Sequence, residues 1–144
     1  MDPDLIRMRH FLLFLLFVPF LTSCDEECRG LIVGKEFEIA SNETLENCPK
    51  NISVTLLKIE DSRCPADLIC IWGGMIVIEG KLKIEAEDFD LKLSTNQSAS
   101  GFPGQFSTAE YTVKLIDVLP YPDSSNPDQS QAQRAILLIS KRSN

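Results

Sequence analysis

The sequence predicts an all-β fold, a small antiparallel β-sandwich of immunoglobulin-like type that follows an N-terminal signal helix. Three observations predict it. Apolar and polar residues alternate in short runs. The runs are bounded by clusters of Gly, Pro, Asn and Ser. After residue 23 no stretch carries a long amphipathic helical period, and no internal repeat is visible. About seven short strands in a chain of this size suit a two-sheet sandwich better than a helical or α/β domain.

The strands follow in order. Gly30 to Ala40 holds one or two short strands, with Phe37 and Ile39 on one side. Ser41–Thr44 and Asn47–Asn51 are rich in turn formers. Ile52 to Glu60 reads as one strand. Met75 to Glu85 has the clearest pattern, with Ile76, Ile78, Leu82 and Ile84 on one face and Glu79, Lys81, Lys83 and Glu85 on the other. A period of two with one polar face predicts a half-buried antiparallel strand. Phe89, Leu91 and Leu93 repeat the pattern after the acidic turn Ala86–Asp88, so the two runs form a hairpin. Residues 94–105 read as a loop. Tyr111, Val113 and Leu115 start another strand, which the prolines at 120 and 122 end, because proline cannot donate to a ladder. Residues 123–133 form a polar loop, and Ala135 to Ser140 is the last strand.

The N-terminus carries an address. Arg7 and Arg9, with His10, precede an apolar run from Phe11 to Leu21. A span needs about 20 apolar residues, so this run suits the core of an export signal instead. Met8 is an alternative start, at the loss of Arg7. Leu21-Thr-Ser-Cys24 resembles the lipobox of bacterial lipoproteins. The resemblance implies diacylglyceryl transfer to the Cys24 thiol, cleavage before Cys24 and acylation of the new N-terminus. Each buried CH2 contributes about 0.8 kcal/mol, so stable anchoring takes at least two chains. The predicted organisation is a signal peptide over 1–23, a lipidated tether over 24–30 and a β-sandwich over 31–144. Asp25, Glu26 and Glu27 follow the cysteine. In enteric lipoproteins an acid here resembles an inner-membrane retention signal; in Bacteroidetes-type lipoproteins acids here resemble a surface-export signal. The predicted location is the bacterial cell envelope, lipid-anchored at the outer membrane, on its surface or its periplasmic face.

Composition narrows the functions. Asp2, Asp4, Arg7 and Arg9 cancel, so the chain after residue 23 keeps the net charge of −7. An acidic domain without a basic cluster argues against nucleic-acid binding, which depends on neutralising phosphates. It argues equally against electrostatic adhesion to anionic headgroups. The membrane partner is therefore reached through the lipid on Cys24. Of the five cysteines, Cys24 is assigned to the lipid. Cys28, Cys48, Cys64 and Cys70 then read as two disulfides, with three pairings open. Cys64–Cys70 is favoured because the short Cys-Pro-x4-Cys loop closes easily, which leaves Cys28–Cys48. A zinc site is the rival, but the spacings are not Cys-x2-Cys and no histidine remains to help.

The least random stretch is Asp61-Ser-Arg63-Cys64-Pro65, four residues, then Cys70-Ile-Trp72-Gly-Gly74. It resembles a D-S-R-C-P-x4-C-x-W-x-G segment of small Bacteroidetes-type lipoproteins, and the Tyr111–Pro122 segment resembles the same group. This chain has Gly73 where alanine is commoner there. The resemblance implies an exported β-domain and no reaction. On the residues alone, Asp61 and Ser62 can cap the turn. Arg63 can pair with Asp61, Asp67 or a loop carbonyl. Trp72 is predicted to be a core anchor and Gly74 to permit close packing. The same loop, through Asp61, Arg63 and Trp72, could be a binding surface.

Catalytic chemistry is sparse. The single histidine, His10, lies in the signal, which excludes a Ser–His–Asp or Cys–His arrangement after cleavage. No phosphate-cradling glycine loop is present, and no cofactor or metal is implied. Glu85, Glu87, Asp88 and Asp90 cluster at a turn without the spacing of a calcium loop. The leading expectation is a non-enzymatic lipoprotein, a binding or structural module with another envelope or surface protein as partner. The alternatives are a proteinaceous inhibitor of an exported protease or lysozyme, and a small carboxylate-dependent hydrolase.

Overall fold

Stretches of alternating burial mark the strands of the computed structural model, which describes residues 30–126 and 133–143. Residues 1–29, with Cys24, Cys28 and the predicted signal, lie outside the described residues. The strands are β1 (Glu36–Ala40), β2 (Thr44–Asn47), β3 (Ile52–Asp61), β4 (Ile76–Ile84), β5 (Glu87–Ser94), β6 (Gln105–Ser107), β7 (Tyr111–Leu119) and β8 (Arg134–Lys141). Two short helical turns, Cys48–Lys50 and α1 (Gln97–Ser100), sit in the connections. β2 and β6 fall where the sequence predicts no strand, and these turns where it predicts turn and loop.

Two four-stranded antiparallel sheets pack face to face, ordered β1-β8-β7-β6 and β2-β3-β4-β5. This is the predicted all-β sandwich. The strand order differs from the immunoglobulin arrangement, in which successive strands cross between sheets. Here every hydrogen-bonded pair joins consecutive strands, except β1 with β8. The chain starts in one sheet with β1, meanders through the other as β2 to β5, and returns to the first as β6 to β8.

The interior is aliphatic. Ile39, Ile52, Val54, Leu56, Ile78, Leu82, Leu93, Val113, Leu137 and Ile139 are among its fully buried side chains. Gly30 bridges to Glu46 and Leu31 is buried, so the fold already begins at the end of the predicted tether.

Two bulges reset the alternation. In β3 the register shifts between Leu56 and Lys58, and in β7 between Leu115 and Asp117. Before the first bulge the even positions Ile52, Val54 and Leu56 face the core; after it Ile59 and Asp61 turn inward. An extra residue on one strand has this effect, since side chains alternate with period two. Gly80 lies opposite the bulge, where a Cβ would stand 2.6 Å from the Thr55 carbonyl oxygen. The predicted β4–β5 hairpin is present, with its turn at Glu85-Ala86, slightly earlier than the acidic stretch suggests. Glu85 takes φ +54° there. Asp88 stands opposite Lys83 and Asp90 opposite Lys81 in the ladder. Those acids thus have lysines as cross-strand neighbours.

Candidate functional site

The segment between β3 and β4 extends beyond the end of the sheets as a stem and a closed tip. The stem continues the hairpin: Ser62 N donates to the Met75 carbonyl at 2.9 Å and Cys64 N to the Gly73 carbonyl at 3.1 Å. Ser62 Oγ also donates to the Met75 carbonyl at 2.9 Å. Gly74 has φ +73°, and a Cβ there would lie 1.9 Å from the Ser62 carbonyl oxygen, so only glycine fits. The Cys64–Cys70 disulfide closes the tip, as the sequence predicts. Cys48 is disulfide-bonded as well; Cys28, its predicted partner, lies outside the described residues.

A buried ion pair holds the stem to the other sheet. The inward turn after the β3 bulge leaves the Asp61 side chain 3% exposed, beside an Arg63 side chain that is 9% exposed. Arg63 Nε donates to Asp61 Oδ1 at 2.9 Å and its Nη2 to Oδ2 at 2.6 Å. The other sheet supplies the remaining acceptors. Arg63 Nη1 reaches Asp117 Oδ1 at 2.8 Å and Nη2 the Val118 carbonyl at 2.7 Å. The guanidinium also lies 4.3 Å from the Tyr121 ring centroid, a geometry that favours a cation over an aromatic face. Burial opposes the charge on Arg63, but Asp61, then Asp117 and Tyr121, outweigh it and hold the guanidinium above its usual pKa. Gln133 Nε2 donates to Asp61 Oδ2 at 2.8 Å, and the Arg63 backbone N–H to Oδ1 at 3.1 Å. Both oxygens of Asp61 are thus engaged by donors. This is how a buried charged pair becomes tolerable.

A second set of contacts ties the tip to the loop after β7. Ala66 N donates to the Pro122 carbonyl at 3.0 Å. Ser124 donates to Asp67 through its backbone N–H, at 3.0 Å, and through its hydroxyl. The Ser124 hydroxyl, then its N–H, hold the Asp67 carboxyl below the usual pKa.

What this frame presents is apolar. Ile69 and Ile71 are fully exposed, at 104% and 109%, and Leu68 and Trp72 are each 52% exposed. Leu119, at the end of β7, and Tyr121, on the loop that follows, are partly exposed too. The predicted core role of Trp72 is therefore corrected. The core is filled by strand residues, and Trp72 stands on a loop beyond the sheets. The predicted capping by Asp61 and Ser62 is present, and so is the Arg63–Asp61 pair; Asp67 binds Ser124 instead. Sequence reasoning missed Asp117, Tyr121 and Gln133, which come from far along the chain. The signal for Asp117 and Tyr121 was the segment ending at Pro122, which stood out as a strand end and in its resemblance to the same lipoprotein group; nothing pointed to Gln133.

The opposite end is different in kind. It carries two shallow hollows. One, of about 270 Å³, is lined by Asn47, Cys48, Asn51, Ser53 and Lys83. The other, of about 420 Å³, is lined by Ile84, Phe89 and Thr108 with three exposed acids, Glu85, Glu87 and Glu110. Among the described residues no group of three or more His, Cys, Asp or Glu comes together in a way that could hold a metal. No helix among them is long and apolar enough to cross a membrane. No known protein family, curated protein or solved structure matches the chain.

Proposed function

We propose that the protein is an exported, lipid-anchored binding module of the bacterial cell envelope, non-catalytic, held at the membrane through Cys24. The observation that carries the binding role is the disulfide-closed tip, with Ile69 and Ile71 fully in water. Contiguous exposed apolar side chains on a soluble domain mark an interaction site. The Asp61–Arg63–Asp117 clamp fixes their frame in advance, which lowers the ordering cost of binding. The lipobox-like Leu21–Cys24 and the resemblance of the 61–74 segment to Bacteroidetes-type lipoproteins support the location.

Intact-mass measurement of the protein extracted from membranes tests the anchor. The expected species begins at Cys24, carries acyl mass and lacks the hydrogens of two disulfides. An unacylated chain that begins elsewhere overturns it.

The second reading is an inhibitor of an exported protease or lysozyme. The convex, covalently closed tip favours it, because such a loop can enter a cleft without rearranging. Inhibition assays of the purified protein against both enzyme classes, with Ile71→Asp as the control, separate an inhibitor from a module that only binds.

A further inference from the structure

Gly30 and the apolar tip lie at opposite ends of the sandwich. Gly30 bridges to Glu46, which pairs with Ser53 near the start of β3. The tip continues from Asp61, at the other end of the same strand. Eight residue steps along β3 span about 26 Å. Cys24 precedes Gly30 by only six residues, a reach of at most about 22 Å. A lipid on Cys24 therefore keeps the Gly30 end within that reach of the bilayer, and an upright domain presents the tip away from it.

The charge around the tip points the same way. Asp67 and Asp123 flank it and are exposed. The two loop segments, 62–75 and 119–126, contain a single cation, Arg63, and that one is buried in the clamp. Anionic headgroups would repel such a rim. A protein surface bearing lysines or arginines would attract it.

We propose that Leu68, Ile69, Ile71 and Trp72 form a membrane-distal plug that docks into an apolar cleft of a partner protein rimmed by basic side chains. This rests on the lipid-anchored binding reading above. The apolar side chains supply the contact that persists, with tryptophan the type most often dominant at such interfaces. Asp67 and Asp123 supply steering and register.

The test uses the full acylated chain in two arms. In the first, the protein is reconstituted in phosphatidylcholine–phosphatidylglycerol vesicles and the fluorescence of Trp72, the single tryptophan, is followed. Quenching by acrylamide and none by brominated lipid is expected. Quenching by brominated lipid overturns the membrane-distal placement. Failure of the protein to stay with the vesicles overturns the anchor instead, so the two failures are distinguishable.

In the second arm a photo-crosslinking residue replaces Ile69 or Ile71 in cells that make the protein, with Glu87 at the opposite end as control. The expected result is one protein adduct from the tip positions and none from Glu87. Its crosslinked peptide should map to an apolar cleft beside lysines or arginines. Ile71→Asp should weaken the association of the purified pair at least about tenfold, and the Asp67→Asn, Asp123→Asn double variant should flatten its salt dependence. Thermal melts of both variants check that the fold is kept. Adducts to lipid or to a second copy of this chain, or adducts equal from Glu87, overturn the proposal. So does an unchanged affinity in a folded Ile71→Asp variant.

Discussion

The two ends of this sandwich solve the problem of joining strands in opposite ways. At the Gly30 end the connection between β4 and β5 is a two-residue turn, and lysines stand opposite acids across the ladder. Little is buried there beyond the strands themselves. At the other end the chain between β3 and β4 takes a long detour, and a buried arginine tethers it to the second sheet. The contrast teaches that a buried ion pair can be retained for placement rather than for stability. Well-packed apolar residues often stabilise a core at least as well as a buried pair. A guanidinium fork, however, can hold one side chain to Asp61, Asp117 and a carbonyl at once, and so fix a loop in space.

The largest expected effect breaks that clamp. Arg63→Ala leaves Asp61 buried without its counterion, and the loss should be about 3 kcal/mol, toward the low side for buried pairs because Asp117 is 43% exposed. Urea or thermal unfolding measures it. Lys92→Ala, which breaks the exposed Glu79–Lys92 pair, should have a far smaller effect. Equal effects from the two would mean that the clamp does not hold the loop.

Adjacent glycines sharpen the comparison within the tip. Gly74→Ala forces a Cβ against the Ser62 carbonyl at a positive φ and should destabilise by about 1–3 kcal/mol. At Gly73 nothing lies within 4 Å of a built Cβ, so Gly73→Ala should change stability by no more than about 0.5 kcal/mol. A pair of thermal melts decides it.

The opposite end should respond with the reverse sign. Glu85 occupies the left-handed region at φ +54°, which costs a side-chain-bearing residue more than glycine. Glu85→Gly should therefore stabilise by up to about 1 kcal/mol, after glycine's larger unfolded-state entropy is counted. A fall in melting temperature would show that Glu85 makes a contact worth more than its strain.

The smallest effect is a pH dependence. Hydrogen bonds from Ser124 lower the pKa of Asp67 in the folded protein. The stabilisation is fully present above the unfolded-state value near 3.9 and is lost as pH falls through the depressed value. Asp67→Asn should make the stability profile shallower below pH about 4 and leave its slope unchanged near neutrality. An identical acid slope in the variant would mean that the Ser124 contact does not persist in solution.

Several parts of the fold were legible in the chain. The face shared by Ile76, Ile78, Leu82 and Ile84 named β4 outright, because alternation with one polar face has no helical reading. The Cys64–Cys70 bridge was legible because a short loop closes easily. The adjacent apolar residues Leu56-Leu57 and Leu115-Ile116 break the alternation where the bulges fall, yet on sequence each run reads as one strand. β2 was missed because its four residues, between two turn clusters, are too few to display a period. Trp72 was misplaced because its residue type favours burial, whereas its loop has no sheet beneath it.

By itself the sequence determined an all-β chain, favoured the local Cys64–Cys70 closure and put Asp61 among three candidate partners of Arg63. All three depend on residues near one another or on a repeating pattern. Only the tertiary structure decided that Asp117, Val118 and Tyr121 complete the clamp. It alone set Gly30 and the apolar tip at opposite ends and left Ile69 and Ile71 in water. Those facts depend on which sheet each strand joins and on a bulge that turns Asp61 inward. A one-residue shift of register reverses every side chain beyond it, and the alternation of a single strand does not reveal what lies across from it.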